Sequence, residues 1–187
     1  YHFSDITVLK IVSIGAYGYC YKGLIKNQRK TVIVKIIKYR GQSRKLLYKS
    51  FKNEIQRILS FLDHPNIVRY LGFGYQLVDK NIELFILTEF INGSTLKDII
   101  YDVRINLPKK SVIKYSIEIA SALEYIHSLG IYHMDIKPNN IVVDKKTDKC
   151  VIIDFGSSII KKQNCSSLIL NKIKISSLIF EDDFQDI

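Results

Sequence analysis

Three side chains suited to phosphoryl-group chemistry lie within six residues of one another. Asp135, Lys137 and Asn140 stand around a proline in the stretch His-Met-Asp-Ile-Lys-Pro-Asn-Asn. A carboxylate can accept a hydroxyl proton, an ammonium can neutralise a transferring phosphoryl group, and an amide oxygen can bind a divalent metal ion. Asp154, in an Asp-Phe-Gly stretch after an apolar run, offers a further hard oxygen ligand suited to Mg²⁺. An isolated Asp-Phe-Gly is, however, most often a simple turn.

Three weaker candidates lie in the first third of the chain. Gly15 and Gly18 have no Cβ, so their backbone N–H groups could approach phosphate oxygens, although a plain hairpin turn uses the same residues. Lys35 ends the apolar run Val32-Ile33-Val34, where the alternative is a solvent-facing lysine. Glu54 falls beside the apolar stripe of a predicted helix, where the alternative is a solvated charge.

The elements that must position these side chains change in type along the chain. Apolar alternation predicts first an antiparallel meander from Ile6 to about Tyr39, a helix from about Arg44 to Leu62, and strands at Ile67–Leu71 and Ile82–Phe90. Beyond Asn92-Gly93 the pattern predicts helices at Thr95–Tyr101 and Pro108–Gly130, then a hairpin of Ile141–Val143 and Val151–Ile153. The apolar stripe of the longer helix is predicted to be Val112, Tyr115, Ile119, Leu123 and Ile126. Strands first and helices later predict an α+β protein in two parts.

Composition excludes several other classes of protein. The 187 residues are 47% hydrophobic, which is enough for a core and argues against disorder. The three cysteines form no Cys-x-x-Cys pair, and the four histidines have no metal-ligand spacing. No run reaches the roughly 18 apolar residues of a membrane-spanning helix, so we expect a cytoplasmic protein, with the nucleus as an alternative. The net charge of +10 comes from basic residues that we interpret as scattered along the chain, so we expect neither a nucleic-acid nor a membrane partner.

Taken in order, these motifs resemble a eukaryotic-type protein kinase domain of the serine/threonine class, over roughly Phe3 to Ile160. The order is the glycine pair, the strand ending at Lys35, Glu54, His-Pro-Asn, the Asp135 stretch and Asp-Phe-Gly. The resemblance implies the α+β bilobal kinase fold, with a small antiparallel-sheet lobe containing one helix and a mainly helical large lobe. It places the small lobe at 1–91, a partial large lobe at 92–160, and a tail that does not match the family at 161–187.

The resemblance also implies a role for each matched residue. Asp135 would be the catalytic base with Lys137 as its phosphate-contacting neighbour, and Asn140 and Asp154 would bind Mg²⁺. Lys35, held in place by Glu54, would pair with the α- and β-phosphates of ATP. Thr88 resembles the gatekeeper, and the backbones of Glu89 and Ile91 resemble the hinge that binds adenine. The full set expected to contact the nucleotide is Ile14, Gly15, Gly18, Cys20, Ile33, Lys35, Thr88, Glu89, Ile91 and Val142.

Four departures from the family pattern bear on function. Ser13 replaces the first glycine of the loop, Ile33 replaces a small alanine and narrows the adenine slot, and Met134 replaces an arginine that normally meets a phosphorylated activation loop. After Gly156 no Ala-Pro-Glu-like motif follows, so we expect a large lobe truncated after this region, with an apolar patch that a partner protein could cover.

Two functions are consistent with this pattern. The first is a protein kinase that transfers the γ-phosphoryl group of ATP to Ser/Thr hydroxyls of a protein substrate. The alternative is a catalytically weak or inactive kinase-like module that binds nucleotide or a partner protein.

Overall fold

The structure, a computed structural model, describes residues 1–15, 18–37, 63–78 and 81–160. The chain divides into two units, one within Tyr1–Asn53 and Arg69–Phe90 and the other within Glu54–Val68 and Ile91–Ile187. The predicted helix from Arg44 to Leu62, which contains Glu54, lies outside the described residues, as does the segment 161–187. None of the helices within the described ranges is long and apolar enough to cross a membrane.

The first unit is built on an antiparallel sheet, as predicted. Its strands are β1 (Ile6–Gly15), β2 (Gly18–Ile25), β3 (Lys30–Ile37), β4 (Tyr70–Val78) and β5 (Asn81–Glu89). Their order in the sheet is β1-β2-β3-β5-β4, so β1 and β4 are its two edges. The prediction of a strand at Ile67–Leu71 is wrong in its bounds. Ile67 pairs with Ile152 in the second unit, and both Ile67 and Val68 are buried. Their apolar side chains serve this contact, which is why their pattern resembles the start of a strand.

One face of this sheet forms the core of the first unit. The central residues of that core on β3 are Val32, Val34 and Ile36, which are buried. Phe85 and Leu87 of β5 belong to the same cluster, and Phe3 packs edge-on against Phe85 with ring centroids 5.3 Å apart. Because side chains alternate along a strand, Ile33 and Lys35 point to the opposite face. One face of β3 therefore packs into the core, and the other face carries Ile33 and Lys35, which are predicted to contact the nucleotide.

The second unit combines short strands with helices. Its elements are β6 (Gly93–Thr95), α1 (Leu96–Tyr101), α2 (Lys109–Ser128), β7 (Ile131–Tyr132), β8 (Ile141–Asp144), β9 (Cys150–Ile152) and β10 (Ile159–Ile160). One small sheet has the order β6-β8-β9, and β10 pairs with β7 in another. Helix α1 begins where the sequence predicted, because Thr95 accepts a hydrogen bond from the Asp98 N–H at 3.1 Å and forms a capping box.

The longer helix α2 buries a narrower face than its sequence predicts. Tyr115, Ala122 and Ile126 are its buried residues, whereas Val112, assigned to the predicted stripe, is exposed. Ala122 was absent from that stripe because a small side chain contributes little to an apolar pattern. Ile113 and Ile117 are also exposed, so part of this helix presents apolar side chains to solvent.

Polar contacts anchor the β8–β9 hairpin to the rest of the second unit. Tyr115 donates its hydroxyl hydrogen to Oδ1 of Asp148 at 2.6 Å, and Lys114 Nζ donates to Oδ2 of the same carboxylate at 2.7 Å. Asp148 has a φ of 53°, a left-handed conformation that aspartate tolerates better than most residues. The Cys150 N–H donates to Glu118 Oε2 at 2.7 Å. These contacts hold the hairpin against α2.

The buried Asn66, from the His-Pro-Asn stretch, fixes the other side of this hairpin. Its Nδ2 donates to the Cys150 carbonyl at 2.8 Å, and its own carbonyl accepts from the Ile152 N–H at 2.9 Å. The Val68 N–H then donates to the Ile152 carbonyl at 2.9 Å. The strand that leads to Asp154 is therefore held on both flanks.

The Asp148 anchor should make stability depend on pH in the acid range. The pKa of the Asp148 carboxyl is held below its usual range, first by the hydrogen bond from Lys114 and then by that from Tyr115. A carboxyl with a lowered folded-state pKa stabilises the fold above its unfolded pKa, and this stabilisation is lost as the pH falls through the folded value. We expect Asp148→Asn to lower the free energy of unfolding by about 1 kcal/mol at pH 7.

Urea unfolding of the wild type and of Asp148→Asn at pH 7 and pH 3 measures this effect. The difference between the two proteins should shrink at the lower pH, because the unfolded wild-type chain binds a proton at Asp148 there more readily than the folded chain does. Glu124→Gln, an exposed change on α2, is the control and should show no such difference. A difference that stays constant across this range would contradict the assignment.

Candidate active site

The loop between β7 and β8 brings the three predicted side chains together. Lys137 Nζ donates to Oδ2 of Asp135 at 2.7 Å, and Asn140 Nδ2 donates to the same oxygen at 3.0 Å. Asn140 Nδ2 also donates to the Asp135 backbone carbonyl at 2.9 Å, and this asparagine is buried. The turn at Pro138–Asn140 brings the amide back to Asp135, since the Asn140 N–H donates to the Lys137 carbonyl. The loop thus presents a carboxylate, an ammonium and an amide as one cluster.

The charge on Asp135 is set by these neighbours. The hydrogen bond from Lys137 is the main cause that lowers the pKa of the Asp135 carboxyl, and the bond from Asn140 adds to it. Desolvation and the charge of Asp154 act in the opposite direction and raise that pKa. Since the lowering causes prevail, Asp135 is ionised at neutral pH.

His133 supports this loop, although the sequence reasoning did not single it out. Its side chain is only 2% exposed, and its Nδ1 accepts a hydrogen bond from the Asp135 N–H at 3.2 Å. The ring packs on Phe155 with centroids 4.7 Å apart. Burial is the main cause that lowers the His133 pKa, which favours the neutral ring that an accepting Nδ1 requires. A neutral His133 therefore holds the Asp135 backbone in place. The signal was a histidine two residues before a carboxylate, just after an apolar strand.

Met134 turns the chain between the buried His133 and the half-exposed Asp135. Its φ is 65°, a left-handed conformation that is unfavourable for a residue with a Cβ. Its side chain is 64% exposed. The backbone at this position therefore stores strain, and the side chain points into solvent rather than into the unit.

Asp154 is tied to the same loop through the backbone. The Ile153 N–H donates to the Asn140 carbonyl at 3.0 Å, which sets the residue before Asp154 beside Asn140. The Gly156 N–H donates to Asp154 Oδ1 at 3.0 Å. Because Asn140 Nδ2 donates to Asp135, the Oδ1 atom of the same amide points away from Asp135.

The donor set fits a magnesium ion. An amide oxygen from Asn140 and a carboxylate from Asp154 are hard ligands, and Mg²⁺ in proteins is commonly held by one or two such groups together with water and substrate phosphates. Within the described ranges no cluster of three His, Cys, Asp or Glu residues could hold a metal ion. Among the described residues, Asn140 and Asp154 are therefore candidate ligands for a metal ion that would take its other ligands from outside the protein.

In the first unit, strand register brings several predicted nucleotide contacts to one face. Directly paired residues share a face, and the pairing runs across four strands in two adjacent rows. The first row is Ser13, Cys20, Lys35 and Ile86, and the second is Lys10, Lys22, Ile33 and Thr88. Cys20, Ile33, Lys35 and Thr88 therefore lie on the face opposite the core.

Ile14 does not join this face. It pairs with Tyr19, one position away from Cys20, and its side chain is 69% exposed. A register shift between Ile11 and Ser13 changes which β1 residues face each way, and sequence alternation alone cannot reveal such a bulge.

The glycine pair closes the β1–β2 hairpin. Gly15 pairs with Gly18, and Ala16 and Tyr17 between them lie outside the described residues. Gly18 has a φ of 149°, and a Cβ there would overlap the Ile36 carbonyl oxygen. Close approach of β2 to β3 is thus sufficient to require glycine at position 18.

The remaining predicted contacts lie at the end of β5 and in the second unit. The Glu89 N–H donates to the Arg69 carbonyl at 2.9 Å, and Glu89 Oε1 accepts from the Arg69 N–H at 2.8 Å. No described residue accepts a hydrogen bond from the Ile91 N–H. Ile91 and Val142 belong to the second unit, where Val142 pairs with Thr95 and Val151. Glu54, the predicted partner of Lys35, lies outside the described residues.

The Lys137 contact can be tested through the titration of Asp135. Because the hydrogen bond from Lys137 is the largest cause of the lowered pKa, Lys137→Met should raise the Asp135 pKa toward its ordinary value. The side-chain carboxyl carbon of Asp135 in ¹³C-labelled protein reports this pKa by NMR. Lys145→Met, in the exposed β8–β9 turn, is the matched control and should leave it unchanged. An Asp135 pKa that is the same in wild type and Lys137→Met would exclude the contact in solution.

Comparison with known proteins places these geometries in context. A family model described as a protein kinase domain matches residues 6–176. The chain is 34% identical over 156 residues to the serine/threonine-protein kinase mos of Patiria pectinifera, covering 83% of the chain and 42% of that protein. It is 36% identical over 149 residues to a probable serine/threonine-protein kinase of Clostridium perfringens, covering 80% of the chain and 21% of that protein. It is 33% identical over 160 residues to mitogen-activated protein kinase kinase kinase 3 of Arabidopsis thaliana, covering 80% and 23%. The chain spans less than half the length of these relatives.

Proposed function

The chain belongs to the protein kinase family, and on that premise we propose that it transfers the γ-phosphoryl group of ATP to a Ser or Thr hydroxyl of a protein substrate. Kinases of this family generally use ATP and Mg²⁺ and act on proteins. The observation that carries the proposal is the cluster of Asp135, Lys137 and Asn140, in which two hydrogen bonds converge on one carboxylate oxygen.

Asp135 is assigned as the base. Both side-chain bonds end on Oδ2, so Oδ1 is the atom that we assign to the substrate hydroxyl. As the hydroxyl oxygen bonds to the γ-phosphorus, the bond from that phosphorus to the bridging oxygen breaks, ADP leaves, and Oδ1 takes the proton. A carboxylate with a lowered pKa is a weak base, so Asp135 orients the hydroxyl first and takes its proton late.

Lys137 and Asn140 have different tasks around this base. Lys137 has three N–H donors, and only one is needed for Asp135, so the others can contact the transferred phosphoryl group and neutralise its charge. Asn140 fixes the Asp135 side chain through Nδ2 and would offer Oδ1 to Mg²⁺ together with Asp154. When bound, Mg²⁺ neutralises phosphate charge and orients the phosphates.

The nucleotide contacts of the first unit are proposed on its sheet face. Lys35 would pair with the α- and β-phosphates, held there by Glu54, and Gly15 and Gly18 would leave the loop backbone free of Cβ atoms. Cys20 and Ile33 would offer apolar surface to adenine, and in the second unit Val142 would keep the apolar adenine contact that the family resemblance implies. Thr88 would be the gatekeeper, and the Glu89 carbonyl and Ile91 N–H would bind the adenine edge.

Transfer of labelled phosphate from Mg²⁺-ATP to a generic basic protein tests the assignment of Asp135. Removing the base should lower the rate by roughly 100-fold or more in Asp135→Asn. Asp102→Asn, an equivalent change at the exposed Asp102–Arg104 ion pair, is the control and should retain wild-type activity. Wild-type transfer no faster than that of Asp135→Asn would refute the enzymatic proposal.

Nucleotide binding is tested separately by the thermal shift that Mg²⁺-ATP produces. Lys35→Met should abolish this shift, because the phosphates lose their ammonium partner on the sheet face. Lys30→Met, an exposed change at the start of the same strand, is the matched control. An undiminished shift in Lys35→Met would mean that ATP binds elsewhere. A wild-type shift without phosphate transfer would favour the non-catalytic module instead.

A further inference from the structure

The net charge of +10 belongs to one of the two units. The stretches Tyr1–Asn53 and Arg69–Phe90 contain 14 Lys and Arg against 4 Asp and Glu, whereas the rest of the chain contains 14 of each. Residues 6–53 contain twelve basic side chains and no acidic one. The interpretation of the basic residues as scattered is therefore wrong. Counting over the whole chain concealed the asymmetry, because the neutral unit dilutes it.

Basic side chains of this unit lie side by side on the sheet. Lys10 of β1 is directly opposite Lys22 of β2, an arrangement of like charges that destabilises a sheet unless an anion lies near. Lys22 Nζ lies 4.0 Å from the centroid of the Phe90 ring, which holds it in place. In the described part of the chain, neither lysine forms a salt bridge. This pair therefore lacks a negative partner there.

Strand β1 beside this pair is an apolar edge. It is the terminal strand of the sheet, so among the described residues its outer side pairs with no strand. Leu9, Ile11 and Val12 are each more than half exposed, and Lys10 is the only charged residue of the strand. Edge strands of natural proteins are usually protected by several charges or by prolines. Two register shifts divide β1 into short segments, so only a short partner strand could pair with it.

We propose that β1 and the Lys10–Lys22 pair form a docking site for a short, extended segment of a partner protein that alternates apolar and acidic residues. Such a segment would add as a strand along β1, with its acidic side chains beside Lys10 and Lys22. Strand addition uses side chains on both faces of an edge at once. On β1 the exposed Ile11 pairs into the core-face row of Tyr21 and Val34. Lys10, in contrast, pairs into the row of Lys22 on the opposite face. A flat membrane could bind only one of these faces. A nucleic acid would use the lysines but not the apolar side chains.

The probe is a fluorescent ten-residue peptide of alternating Val and Glu, measured by anisotropy against the full chain, with a Val–Lys peptide as its counterpart. The Val–Glu peptide should bind and the Val–Lys peptide should not. Lys10→Glu should weaken binding roughly 5-fold or more, since it replaces attraction by repulsion. Lys109→Glu, the same charge change on the exposed start of α2, is the matched control and should leave binding unchanged.

Hydrogen exchange distinguishes strand addition from loose electrostatic contact. Bound Val–Glu peptide should slow exchange of β1 backbone amides, and unchanged exchange would overturn the proposal. Equal binding of both peptides, or equal weakening by Lys10→Glu and Lys109→Glu, would also overturn it. Protection of β1 by a single-stranded oligonucleotide or by phosphatidylserine vesicles, but not by the peptide, would assign the surface to that other partner. The peptide comparison on the wild type decides the matter even if Lys10→Glu fails to fold, and none of these outcomes depends on phosphoryl transfer.

Discussion

The buried side chain of Asn140 is the constraint on which the cluster of Asp135, Lys137 and Asn140 depends. Its Nδ2 satisfies both the backbone carbonyl and a carboxylate oxygen of Asp135, and its own carbonyl receives the Ile153 N–H. Three polar groups from two separate stretches of chain thus bind to one buried residue, two through its side-chain amide and one through its backbone carbonyl. Because a buried donor or acceptor left without a partner costs about 1–3 kcal/mol, any shift of either stretch is opposed by the others. The position of the Asp135 side chain and the position of Asp154 are therefore fixed together by Asn140.

In the first unit, strand register fixes the position of the predicted site residue Lys35. Val34 faces the core and Lys35 faces away from it, so a slip of one residue would bury an ammonium and expose a valine. The apolar packing of Val32, Val34 and Ile36 thereby fixes which face carries Lys35. Stability and the proposed chemistry are linked through the period of two that every strand obeys.

The sequence was sufficient to predict features that depend on residues close together in the chain. The antiparallel strands, the start of α1 at its Thr95 cap, and the grouping of Asp135, Lys137 and Asn140 all follow from alternation, capping and short spacing. It failed where the cause lies far along the chain. Ile67 is apolar because it meets Ile152, eighty-five positions away, and no local pattern contains that information.

Sequence reasoning also missed a hydrogen bond from a backbone N–H to a histidine ring two residues earlier, which occurs twice in the second unit. The Asn66 N–H donates to His64 Nδ1, and the Asp135 N–H donates to His133 Nδ1, each at 3.2 Å. Burial lowers the pKa of both rings below the ordinary value of 6.5. A protonated ring would direct an N–H at another N–H, so the folded unit resists taking up protons that the unfolded chain would bind. Mild acidification below that value therefore weakens the support of the strand leading to Asp154 and the support of Asp135 together.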